Sequence, residues 1–175
     1  MTPRVIPLAP RRESPGRPGA DTRQLRRVFG AFPCGVTAVC ALVDGQPAGL
    51  AASSFTSVSL NPPLVSVCVA HSSTTWPVLR QAARLGVSVL SADQEQACAQ
   101  LSARGADRFA GLPFRATPGG AVLLDGASAW LECTIEQQVR AGDHDIVVLR
   151  VHDLDADHQV HPLVFHSSQF RRLAV

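Results

Sequence analysis

Lysine and tyrosine are missing from this 175-residue chain, so every permanent side-chain cation is one of its 16 arginines. In a sequence this rich in Ala, Val, Arg and Gly, that absence reflects composition rather than function. No apolar run is long enough for a signal peptide or a membrane span. No G-x-G-x-x-G follows the first strand-like segment, which removes the Rossmann turn as a way of holding a nucleotide. No G-x-S-x-G elbow is present, which argues against a serine hydrolase. Asp93, Glu95 and Glu136 show no pairing suited to glycoside hydrolysis. The five cysteines (34, 40, 68, 98 and 133) are odd in number and form no C-x-x-C, so they read as reduced thiols of a cytoplasmic protein.

What is present is unevenly placed. The formal charge is +2, yet residues 1–20 hold four Arg and one Glu, which leaves the rest of the chain at −1. That leader has five prolines, each fixing φ and removing a backbone donor, and is expected to be a disordered tail ahead of a domain over residues 21–175. Its arginines suit nucleic acid or a membrane surface only weakly, and neither is expected as a partner. The length fits one domain of about 100–200 residues.

Leu25, Val28, Phe29 and Phe32 recur at helical spacing, with Asp21 or Thr22 as cap and Pro33 as the stop. The stretch "VTAVCALV" is β-branched and runs into Asp44-Gly45, a hairpin signal, with "PAGLAASSF" returning. "PPLVSVCVA" and "GVSVLS" read as strands, "STTWPVLRQAA" as a short helix capped by Ser73 or Thr74. "DQEQACAQLSA" reads as a helix opened by Asp93. "AWLECTIEQQV", "DIVVLRVHDLD" and "PLVFHSSQFRRL" are three further strand candidates. Many strands joined by tight turns, with few helices and no repeats, predict a mainly β antiparallel barrel with short peripheral helices. Residues 51–77 crowd Ser and Thr around these apolar runs with almost no charge, which suits either turns and caps or a cradle for an oxygen-rich ligand.

The ordered set "FPCGVTAVCA", "DGQPAGLAASSFTSVSLNPPLVSVCVA", "SSTTWPVLR", "ADRFAGL", "LECTI", "AGDHDIVVLRV" and "HPLVFHSSQFRRL" resembles the flavin reductase family across residues 23–173. These are small NAD(P)H:flavin oxidoreductases with the FMN-binding split-barrel fold that serve two-component monooxygenases. The resemblance implies a homodimeric Greek-key split barrel that uses NADH or NADPH to reduce FMN or FAD for a partner monooxygenase. It implies flavin contacts from Ala51, Ala52, Ser53, Ser54, Phe55 and Ser57 on one segment, and from Val69, Ser72, Ser73 and Thr74 on the next. Ser88 and Arg108 complete that expected set. Free N–H groups at a helix start near Ser73 suit a phosphate. By the same resemblance His144, in the "GDH" turn, and Phe170 border the nicotinamide. Many members have Thr, Asn, Asn and Tyr where this chain has Ala51, Ser53, Ser88 and Phe170, which re-aims or removes hydrogen bonds. Two other outcomes are compatible with the resemblance: a protein that retains flavin as an oxygenase or electron carrier, and a non-catalytic flavin- or haem-binding module. The histidines and aspartates of "HDLDADHQVH" suggest a metal at first sight, but they lie where a hairpin tip would leave carboxylates solvated, and no metal is expected.

Overall fold

A computed structural model describes residues 21–105 and 107–173, so the leader lies outside the described residues. Helix α1 (Thr22–Phe29) forms as its spacing predicts, with Asp21 Oδ1 accepting from Arg23 N–H at 3.1 Å. Its apolar face does not enter the core, however: Phe29 and Phe32 remain 69% and 73% exposed. The helix is tied to the body where Ser167 N–H donates to Gly30 O at 2.8 Å.

Strand β1 (Cys34–Gly35) is followed by β2 (Thr37–Val43) and β3 (Gln46–Ala52), an antiparallel hairpin. Asp44 and Gly45 turn it with φ of 51° and 75°, the double positive φ that a two-residue hairpin turn of this hand needs. β4 (Thr56–Leu60) and β5 (Pro63–Ala70) pair next, followed by the single turn α2 (Trp76–Leu79), β6 (Leu85–Val89) and α3 (Glu95–Ser102).

Asp93 does not open α3. Gln94 takes the N-cap position without a side-chain bond to the helix, its Oε1 accepting from Ser91 N–H instead, while Asp93 pairs with Arg172 at 2.8 Å. A small hairpin, β7 (Phe114–Ala116) with β8 (Val122–Leu124), was not foreseen from the sequence. The long strands β9 (Ala129–Ala141) and β10 (His144–Ala156) follow as expected. The last strand candidate is in fact two short strands, β11 (Val164–His166) and β12 (Gln169–Arg171). Ser167 and Ser168 both adopt positive φ and reverse the chain between them.

Seven strands form one antiparallel sheet in the order β3-β2-β6-β9-β10-β5-β4. Val39, Val67, Val87, Val147 and Leu149, from four of these strands, meet in one buried cluster, so the sheet wraps around it. The opposite face of β2 is buried too: Ala38 and Cys40 pack with Leu101, Phe109, Val122 and Leu163 in a second cluster under α3 and the small hairpin. An unbroken apolar run is what a strand buried on both faces requires. Gly86 is where that layer comes closest, since a Cβ there would collide with the Val122 carbonyl and Leu123 Cδ2. β3 also approaches β5, which brings the two walls of a cleft together.

Candidate active site

Small residues at the end of β3 let backbone form one wall of this cleft, from Leu50 to Ser54. Cys68, Val69 and Ala70 at the end of β5 form the facing wall, and Ser72–Thr75 continue it. Leu101 and Ser102 at the end of α3 and Arg104 just past it, together with Arg108 and His144, complete a space of about 410 Å³. Among the described residues no Asp or Glu lines it, whereas two arginines and a histidine do. A second cleft of about 270 Å³ shares Ala51, Ala52, Ser53 and Ser102 with the first, and adds Phe165 and Phe170.

Ten of the residues expected from the sequence therefore line the first cleft: Ala51, Ala52, Ser53, Ser54, Val69, Ser72, Ser73, Thr74, Arg108 and His144. Phe170 lines the adjoining one, edge-on to Phe165 at 5.6 Å between ring centroids. Three do not reach either. Ser88 is 0% exposed and its Oγ accepts from Leu124 N–H at 3.0 Å, so this hydroxyl anchors the small hairpin. Phe55 packs on the barrel core, and Ser57 lies on β4 opposite Val65.

Hydroxyls in the cleft divide into bound and open. Ser54 Oγ donates to Cys68 O (3.2 Å) and accepts from Cys68 N–H (2.8 Å), doing between β3 and β5 what a strand ladder would otherwise do. Ser73 Oγ accepts from Trp76 N–H at 3.1 Å. Exposed Ser53, Ser72 and Thr74 make no side-chain hydrogen bond among the described residues. The helix expected to start near Ser73 starts three residues later. α2 is one turn long and begins at Trp76, whose N–H is taken, and Pro77 has none.

His144 sits at the first position of β10, opposite Ala70 of β5. Its ring bonds through Nδ1 to Asp143 Oδ1 at 2.8 Å. That hydrogen bond, and then the charge of His144, hold the Asp143 carboxyl below the usual range, so it is ionised at neutral pH. A carboxylate only accepts, so Nδ1 carries the proton and Nε2 is the uncommitted nitrogen. His71 fixes this turn twice: its N–H donates to Asp143 O at 2.9 Å, and its Nε2 bonds Asp145 Oδ1 at 2.9 Å. Arg108 Nη1 donates to Gly49 O at 3.0 Å and to Thr75 Oγ1, bracing β3 against the hydroxyl loop.

Sequence reasoning missed Arg104, Ser102, Thr75 and Cys68 as lining residues. A signal existed for Arg104 alone: it follows directly on the α3 helical pattern, in a chain without lysine. Of the thiols, burial pushes Cys40 and Cys133 up to about 12, with Glu132 adding to the shift of Cys133. No group of three His, Cys, Asp or Glu among the described residues is placed to hold a metal.

Residues 29–174 match the family model described as the flavin reductase like domain. The chain belongs to this family. Its sequence is 39% identical over 151 residues to a flavin reductase of Pseudomonas putida, covering 86% of this chain and 89% of that one. It is 35% identical over 150 residues to the reductase subunit of a flavin-dependent monooxygenase of Rhodococcus jostii (strain RHA1), covering 86% and 77%. Among solved structures, an NADH:FAD oxidoreductase of Streptomyces globisporus in complex with NAD and FAD fragments superposes with a TM-score of 0.83 at 39% identity, covering 88% and 93%. The antiparallel split barrel expected from the sequence is the fold this flavin reductase-like chain has. Its cleft fits a flavin by donor chemistry: open hydroxyls and close backbone on the walls, arginines and no carboxylate to oppose a phosphate.

Proposed function

We propose that this chain reduces FMN or FAD with NADH or NADPH and releases the reduced flavin to a partner monooxygenase. The observation carrying this reading is the cleft, lined by no carboxylate among the described residues, where open Ser53, Ser72 and Thr74 sit with two arginines and His144. When bound, flavin supplies the acceptor for a hydride. The chain's own part is to hold two flat rings together, and such orientation accounts for much of the rate of a transfer of this kind. The walls from β3 and β5 hold the flavin. His144, fixed by Asp143, and Phe170 in the adjoining cleft border the nicotinamide. Relatives named as reductase subunits of monooxygenases support a diffusible product.

The reading includes a homodimer, supported by the bare apolar face of α1, and light scattering of the purified chain tests it. It also includes a cytoplasmic setting, supported by five unpaired cysteines; no helix among the described residues is long and apolar enough to cross a membrane. The deciding experiment is anaerobic oxidation of NADH and of NADPH with FMN, FAD and riboflavin in parallel. Turnover that depends on flavin concentration is expected, and no oxidation with any of the three would end the reading. Gel filtration with FMN or FAD should separate the flavin from the protein; co-elution would favour a retained flavin instead.

A further inference from the structure

A ligand that carries a phosphate into this cleft needs a positive group to meet it, and the candidates reduce to few. The chain has no lysine, and among the described residues the cleft's basic side chains are Arg104, Arg108 and His144. Arg108 is committed through Nη1 to Gly49 O and Thr75 Oγ1. His144 already faces a carboxylate of its own, Asp143, at 2.8 Å. At the start of α2, Ser73 N–H goes to Ala70 O, Trp76 N–H goes to Ser73 Oγ, and Pro77 lacks a donor, so the donors left open beside it are neutral. Arg104 differs from all of these. It is exposed, lines the cleft beside Ser102, and makes no hydrogen bond or ion pair among the described residues.

We propose that Arg104 is a specificity-determining residue that binds the phosphate or pyrophosphate of the flavin and so makes FMN and FAD better substrates than riboflavin. This rests on the flavin reductase reading given above. A guanidinium fork presents paired donors to phosphate oxygens, and such charge-assisted bonds are about twice as strong as neutral ones. The rival account is that Arg104, just past the end of α3, only complements the negative end of that helix. A pyridine dinucleotide also brings phosphates, so the test must tell the two sources apart.

The test compares the parent with Arg104→Ala, Arg104→Gln and Arg104→Lys. Dissociation constants for FMN, FAD and riboflavin come from fluorescence quenching, and kcat/KM from turnover with NADH. Arg104→Ala and Arg104→Gln should weaken FMN and FAD roughly ten- to a hundredfold relative to riboflavin, mainly in KM. Arg104→Lys should fall between them and the parent, because it keeps charge but loses the fork. An unchanged FMN-to-riboflavin ratio overturns the proposal, as does a lower melting temperature with that ratio intact. A shift confined to the NADPH-to-NADH ratio also overturns it, and assigns the phosphate to the dinucleotide. The binding ratio does not need turnover. A chain that binds flavin without reducing it would end the reductase reading while still deciding the role of Arg104.

Discussion

Two side chains at the cleft test different things. If His144 borders the nicotinamide, His144→Ala should raise KM for NAD(P)H roughly tenfold and slow reduction of bound flavin, leaving flavin affinity near the parent's. Steady-state kinetics with each substrate varied in turn would show that split, and equal losses in both terms would contradict it. Ser54 behaves otherwise, because its hydroxyl is used twice by Cys68. Ser54→Ala orphans the Cys68 amide and should cost about 1–3 kcal/mol, read as a melting temperature lower by roughly 3–10 °C. The sequence showed that small hydroxyls gather here, yet not which were engaged. Ser53, Ser54 and Ser88 look alike in a string of letters, and only the strands that pass beside each decide whether its oxygen is spoken for.

Among the elements, those governed by local chemistry were legible and those governed by distant neighbours were not. β2, β3 and their Asp44-Gly45 turn carry their own instructions in β-branching and φ preference. The β7–β8 hairpin does not, since its register is fixed by Ser88 and Gly86 on a strand far away in the chain. In the sequence Gly86 is one more residue of a strand pattern, but in the fold it is the position where β6 lets the Val122 carbonyl pass over it. Gly86→Ala should therefore cost about 3 kcal/mol or more, because the atoms it meets are backbone and cannot rotate away. Urea denaturation would register this as a lower midpoint; a stability equal to the parent's would mean the hairpin is free to lift. Helix ends failed for a related reason: Asp93 had the right chemistry for a cap but is drawn to Arg172, 79 residues on.

For the molecule as a whole, the missing residue types make one measurement unusually clean. With no Lys and no Tyr, cysteines are the side chains that titrate between pH 9 and 12. Cys40 and Cys133 ionise near 9.0 in the unfolded chain and near 12 when folded, so burial favours their neutral form. Their contribution to stability is complete below pH 9 and is lost progressively as pH rises from about 9 to 12. Urea midpoints across that range should fall, and Cys40→Ala should flatten the slope; a midpoint independent of pH up to 11 would contradict the burial of these thiols. The family fold was legible because motifs spread over residues 23–173 each sit at a turn or wall that the barrel requires. The bare face of α1 was not, since periodicity tells that a helix has an apolar side but not what covers it.

The junction between β3 and β5 has one further consequence. Neighbouring strands of the sheet are joined by repeated backbone pairs, whereas between the end of β3 and β5 one serine oxygen bonds both the amide and the carbonyl of Cys68. The cleft therefore lies where its two walls are joined by few hydrogen bonds, those of Ser54 to Cys68 and of Arg108 to Gly49 and Thr75. A flat molecule lying across both walls would act as the missing rung, tightening the barrel while it stays. Its departure would leave Ser54 and Arg108 to hold the walls together.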